Sequence, residues 1–397
     1  MKITVEALTK ALGNDGLDGG ILIHSDLSPL GGEGAPVKPA VYAGGLYQKD
    51  KRWTTGPDGE RHVVDAVVID NEPAEANRME AALLRRLAQL GLPSFQLDLS
   101  VVGELPPHVS STLSSLEFPH RHADAYLRDA ELEDGTAFTK SAIGTAVYGA
   151  SASKPQALLE WFPASLIFGF WQSHLGKKAP QTKFARAFEC SIVGLGPASV
   201  ETRRLGLKGD PLNLSISEGI SIDDDGLIEW ELSGSDKVGK KSKDSLAEIG
   251  HGQVPVSANE AALGSISFES IEQLATLSFP RLRTISTGDD QQDAAARALL
   301  AALAIVAHRC AFAGGFTLRS GCDLRATRST WKWVGESADH ELEVPTVNEA
   351  IELFQASVAA AEAAGLPVGT RWASAPMRLV PKANLHKVLV QSFGLDS

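Results

Sequence analysis

The stretch Val63–Gly91 reads VVDAVVIDNEPAEANRMEAALLRRLAQLG. Val63–Asp70 is dominated by β-branched side chains, the composition of a buried strand. Asn71 suits a helix N-cap, because its side-chain oxygen accepts from a free amide of the first turn. Pro73 fits that first turn, where its missing N–H leaves no bond unmade. Gly91 fits the stop, because it enters left-handed backbone without a Cβ clash. The segment therefore predicts a strand, a tight connection and a helix running to Gly91.

Outward from this unit the elements mix irregularly. Residues 1–60 are rich in glycine and proline and read as loops around short strands. Leu158–Trp161 reads as a short strand, and Pro163 opens an apolar helix, PASLIFGFWQSHLG. Glu189–Gly196 reads as another strand. Residues 201–260 change character: GDPLNLSISEGISIDDDGLIEWELSG predicts a β-hairpin with an Asp-Gly turn. A lysine-rich loop follows, SDKVGKKSKDS, read equally as a flexible linker or a binding element. Asp293–Ala313 is an alanine- and leucine-rich helix stopped by Gly314 and Gly315. Phe316–Arg319 reads as a strand, and Thr346–Glu349 is a capping box opening a helix to Gly365. Trp372–Val380 reads as the last strand. There is no internal repeat, and the irregular order favours an α+β fold over a βαβ series.

Composition narrows the function classes. The chain of 397 residues is 43% hydrophobic and 22% charged, a globular balance. Its net charge of −12 weighs against generic nucleic-acid binding, although local patches govern polyanion binding as much as the total does. Three cysteines without a C-x-x-C pair suggest neither a disulfide framework nor a cysteine zinc site, so a reducing cytoplasm is expected. The N-terminus MKITVEALTK has no apolar core of a signal peptide. The longest clean apolar run, Ala298–Ala307, is too short to span a bilayer, so no membrane association is expected.

Within this acidic chain, Trp171–Phe188, WQSHLGKKAPQTKFARAF, carries Lys177, Lys178, Lys183 and Arg186 with His174 and no acidic residue. Unpaired cations of this kind suit phosphate, and they equally suit an ordinary solvated loop. A second cluster, LRSGCDLRATRSTWKW, sets Arg319, Arg325, Arg328 and Lys332 against Asp323 alone. Its Trp331 and Trp333 fall on one side of a strand, either to stack on bases or to pack in the core. FPHRHADAYLRD places His120 and His122 around Arg121. No further ligand stands at zinc spacing and the intervening cation opposes a metal, so none is expected. The chain contains no G-x-S-x-G, H-E-x-x-H or G-x-x-x-x-G-K-[ST], and its glycines assemble no dinucleotide fingerprint; no cofactor is expected. Cys190 and Cys310 read as buried thiols and Cys322 as exposed.

Taken in order, EANRMEAALL at 75–84, FPHRHADAYLRD at 118–129, FGFWQSHLGKKAPQTKFARAFECSIVG at 168–194 and RSGCDL at 319–324 resemble the backbone RAMP protein of type I-G (formerly I-U) CRISPR systems. This is the Cas-seven-type subunit of a Cascade effector complex, and the resemblance covers residues 20–335 in patches. It implies a single RAMP-type domain over 1–397: a ferredoxin- or RRM-like palm with inserted helical and β-hairpin elements. One insertion would form a thumb, at 201–260 or alternatively within 24–62. It also implies a non-catalytic, guide-RNA-binding subunit whose copies stack head to tail with other Cascade subunits and present the guide to a target DNA strand.

On this resemblance Lys177, Lys178, Lys183 and Arg186 would cradle guide phosphates, with Arg78, Arg121 and Arg319 next and Asn77 bonding a phosphate or ribose. The alternative is a metal-dependent RNA nuclease or hydrolase using Asp and His residues. Asp26 and Asp70, read as loop or strand-end acids, and His120 are its candidates. A third reading is a protein-interaction subunit whose basic loops meet an acidic partner.

Overall fold

The computed structural model describes residues 1–56, 59–172, 182–198, 202–204, 219–223, 229–233, 242–243, 261–369, 372 and 375–395. It divides into two compact units, residues 1–198 with 267–397, and residues 199–266.

In the larger unit the elements used below are α1 (Val5–Leu12), β1 (Gly20–Pro29), β2 (Lys49–Thr55), β3 (Arg61–Asp70), α2 (Glu72–Leu84) and α3 (Leu87–Leu90). They continue with β4 (Phe188–Pro197), β5 (Phe268–Ser278), α4 (Asp290–Phe312), β6 (Gly315–Arg319), β7 (Cys322–Val334), β8 (Asp339–Leu342) and α5 (Val347–Ala363). One sheet runs β6-β7-β1-β5-β4-β3-β2, with β8 also paired to β7. All its neighbours are antiparallel. Taken alone, β1, α2, β4, β5, α4 and β7 give a β-α-β-β-α-β path with spatial order 4-1-3-2, the ferredoxin- and RRM-like arrangement. The fold is α+β.

The sequence-decisive segment folds as read. β3 ends at Asp70, and the Asn71 side chain accepts from the Ala74 amide at 3.1 Å. The helix breaks at Arg85–Arg86, resumes as α3 and stops at Gly91 in left-handed backbone. The capping box at Thr346 and Glu349 is also present.

One face of the sheet is covered by helices. Ile21, Ile23, Ser25 and Leu27 of β1 face inward, while Leu22, His24 and Asp26 alternate onto the open face. Two apolar clusters share the inner face, one containing Ile23, Cys190 and Ala275, the other Leu27, Ile192 and Ile271. Ser25 and Gln273 occupy the row between them, so a polar belt crosses the core. The middle of α4, Ala298–Ala307, is apolar on every side because it is buried on every side. It is the one described helix long and apolar enough to cross a membrane, and 83% of that apolar window is buried inside the protein.

Four local expectations are corrected. Leu158–Trp161 belongs to a helix, Gln156–Trp161; its short apolar run carries no period that separates helix from strand. The helix opened by Pro163 stops at Phe168 rather than continuing toward Gly176. Gly169 has φ +76°, and a Cβ there would lie 2.7 Å from the Phe184 carbonyl oxygen. The chain turns there into Phe170–Gln172, paired with Thr182–Phe184. The final strand is only Met377–Pro381, in a smaller four-stranded sheet, and a helix, Ala383–Phe393, follows it. Residues 1–60 hold a helix and the central strand β1, not merely loops around short strands. His24, Ser25 and Asp26 break the apolar alternation that would have marked β1.

Within the smaller unit, Gly219–Asp223 pairs antiparallel with Glu229–Ser233. The predicted hairpin is therefore present, while its Asp-Gly turn lies outside the described residues. The larger unit brings its two chain ends together, with the Ala198 amide donating to the Ser267 carbonyl at 2.9 Å. Replacing 199–266 with a short Gly-Ser loop is therefore predicted to leave one cooperative unfolding transition by circular dichroism. Loss of that transition would contradict the division.

Candidate nucleic-acid interface

Asp70, at the end of β3, is fully buried. Its carboxylate accepts from Arg78 Nε at 2.7 Å and Nη2 at 3.3 Å, and from Arg319 Nη2. Arg319 Nη1 also donates to the carbonyls of Ile69 at 2.9 Å and Lys38 at 3.2 Å. Two of the sequence-predicted arginines, Arg78 on α2 and Arg319 at the end of β6, thus share one anion. The Arg78 and Arg319 side chains stay 26% and 23% exposed, so each still presents an edge to solvent. Asn77, beside Arg78 on α2, is exposed.

Beneath this pair lies Glu75, fully buried one turn into α2. Its Oε2 accepts from Cys190 Sγ at 3.2 Å and Gln273 Nε2 at 3.0 Å. Burial, reinforced by the Asp70 charge, pushes its carboxyl up to about 8. Gln273 Oε1 meets His308 Nε2 at 3.1 Å, and burial pushes His308 down to about 3, leaving it neutral. A chain of hydrogen bonds therefore runs from Glu75 through Gln273 to His308 on α4, and Arg78 Nε stands 3.8 Å from Glu75 Oε1 at its outer end.

Arg121 and Arg186 converge elsewhere along α2. Arg121 clamps the buried Glu80 through Nε at 2.7 Å and Nη2 at 2.8 Å. Its Nη1 donates to the Gly169 carbonyl at 3.1 Å, and its guanidinium lies 5.4 Å from the Phe168 ring centroid. The arrangement holds Arg121 at φ +55°, the only described non-glycine residue with positive φ. Burial raises the Glu80 pKa even against the Arg121 charge. Arg186 passes beside Gly169, and its Nε is buried with no hydrogen-bond partner among the described residues. Lys183 is exposed and pairs in register with Trp171, which is 62% exposed. Lys177, Lys178 and His174 lie outside the described residues.

The remaining sequence candidates sort by burial. Trp331 and Trp333 are buried, so the core reading of that pair holds. Trp333 Nε1 donates to Asp18 at 2.9 Å. Cys322 is buried rather than exposed, and burial pushes its thiol up to about 11. His122 is buried against Ser165 Oγ at 2.9 Å, and burial pushes it down to about 3, while His120 is exposed. Among the described residues no group of three or more His, Cys, Asp or Glu is placed to hold a metal ion. Asp26 is not a loop acid: it lies within β1 and pairs with Arg328 Nε at 2.7 Å. Asp70 is a strand-end acid, but two arginines neutralise it.

Two exposed aromatics escaped notice in the sequence. Trp171 was seen only as the start of a basic stretch. Trp53, 63% exposed, lies under Arg61 at 5.3 Å on the β2–β3 hairpin. That hairpin overhangs the sheet, because β4 pairs with β3 only from Ala66 onward. The usable signal was an aromatic and an arginine flanking the turn TTGPDGE.

The family described as CRISPR-associated protein GSU0053 matches residues 21–198, a little under half of the chain. The matched segment carries β1, β3, α2 and β4 with Asp70, Arg78, Arg121, Lys183 and Arg186. No curated protein matches the chain. The similarity supports a CRISPR-associated protein with a role in CRISPR defence.

The geometry makes two stability predictions. Asp70→Ala leaves two partly buried arginines without their anion and is expected to cost about 3–5 kcal/mol in urea unfolding. An unchanged midpoint would contradict the central placing of Asp70. Glu75 has a folded-state pKa raised from 4.5 to about 8. Its contribution to stability is complete below the unfolded value and is lost as pH rises through about 8. Glu75→Gln should therefore flatten the fall in melting temperature between pH 5 and 9; parallel curves would refute the shift.

Proposed function

We propose that this chain is a non-catalytic backbone subunit that binds a guide RNA in a CRISPR effector complex. Copies stack head to tail along the guide and leave its bases free to pair with a target DNA strand. The observation that carries this reading is the gathering of four predicted arginines around α2 of an RRM-like palm. Asp70 holds Arg78 and Arg319, Glu80 holds Arg121, and Gly169 links Arg121 to Arg186. The partly exposed guanidinium edges are preorganised for phosphate, with little side-chain entropy left to lose on binding. Trp171 beside Lys183 supplies an exposed ring and a cation, the combination that suits a stacked base and its phosphate.

The unit at 199–266 is the proposed thumb. It enters between β4 and β5, the central hairpin of the palm, with its chain ends side by side. The β2–β3 overhang with Trp53 and Arg61, inside 24–62, is the competing thumb. Both acids of the nuclease alternative are paired with arginine, which weighs against their service as metal ligands or bases.

The test is binding of a labelled single-stranded RNA of ~30–40 nucleotides across a salt series. Each phosphate contact should contribute a slope of roughly −0.7 in the log–log plot. Lys177→Ala/Lys178→Ala/Lys183→Ala/Arg186→Ala should weaken binding and flatten the slope by up to about 3, with the RNA intact. Binding at low salt that is unaffected by the four changes would remove the basic stretch from the interface, and metal-dependent RNA cleavage would overturn the non-catalytic reading.

A further inference from the structure

The break between α2 and α3 opens a groove of ≈440 Å³ lined by Ala82, Arg85, Arg86, Ala88, Gln89 and Cys310. Arg309 stands next to it on α4, its Nε buried without a hydrogen-bond partner among the described residues. Arg86 donates to the neutral Gln89 side chain at 3.0 Å. No described carboxylate lies within ion-pair distance of Arg85, Arg86 or Arg309. Arg78, Arg121, Arg297, Arg319 and Arg328 each have an acid, whereas these three arginines gather around one groove without one. All three act on Cys310, lowering a thiol pKa that burial raises overall.

We infer that this groove is a second phosphate site, taking the sugar-phosphate backbone of a bound RNA strand. The inference rests on the guide-RNA reading above and extends it to residues outside every motif that suggested it. The ligand must be anionic, because the groove offers guanidinium donors and no acceptor of charge. It must be part of an extended chain, because the groove is open and encloses nothing. The floor is small and neutral, with no aromatic ring to stack a base, so contact is with backbone alone. Continuity argues for the same strand. Arg78 and Arg85 stand seven residues apart, on one stripe of the α2 surface, and about 10 Å apart along the axis. A strand held at the Asp70 cluster reaches the groove by following that stripe.

Cys310 provides the readout, because Cys190 and Cys322 are buried and Cys310 is partly exposed. Wild-type protein would be alkylated with iodoacetamide, with and without a ~30-nucleotide single-stranded RNA, and Cys310 followed by mass spectrometry. With RNA at ten times its Kd, alkylation of Cys310 should slow by about tenfold. Polyglutamate of matched charge should give no such protection. Arg85→Ser/Arg86→Ser should abolish protection and make the salt slope of RNA binding shallower by about 1.4. If RNA binds while Cys310 reacts at its free rate, the groove is not on the strand's path, and the guide-RNA reading survives. Protection by polyglutamate but not RNA would make the groove a protein-docking site and overturn the inference. Absence of both RNA binding and protection would overturn the inference and the reading together.

Discussion

A fully buried aspartate cannot stay charged in a core without compensation, and Asp70 draws its compensation from one near and one distant part of the chain. Arg78 arrives on the helix that follows, and Arg319 arrives from the β6–β7 turn. Through this one carboxylate, β3, α2 and the far edge of the sheet are fixed relative to each other. Arg319 adds two backbone carbonyls, Ile69 and Lys38, and so pins the loop that covers the second apolar cluster. The same contacts hold the outer edges of both guanidinium groups in place. Stability and the proposed phosphate surface therefore depend on the same bonds.

The polar belt extends that dependence inward. Glu75, Gln273 and His308 are buried and linked by hydrogen bonds, and Ser25, in the same row, meets Ser329 Oγ at 2.9 Å. Each of these groups would be costly to bury without any hydrogen bond, so the belt is sensitive to the loss of any one member. Burial and the Asp70 charge raise the Glu75 pKa, while the hydrogen bonds from Cys190 and Gln273 work in the opposite direction.

The legible parts of the sequence were those where local chemistry decides. Asn71, Pro73 and Gly91 marked the helix, and Thr346 with Glu349 marked another, because caps act over a few residues. Arg78, Arg121 and Arg319 were visible as members of motifs, but their partners were not. Nothing local announces that Glu80 will meet Arg121, 41 residues later, or that Asp70 will meet Arg319. β1 stayed hidden because its middle, His24–Asp26, is polar on both faces: Ser25 belongs to the buried belt and the other two to the open side. The short run at 158–161 misled because four residues carry no period that tells helix from strand.

The central claim is that copies of this chain assemble along an RNA strand. Native mass spectrometry of the protein with single-stranded RNAs of stepwise increasing length tests it directly. The account predicts a ladder of stoichiometries, one further copy for each fixed increment of RNA, with the RNA mass unchanged. One copy per RNA at every length, or shortened RNA, would contradict it.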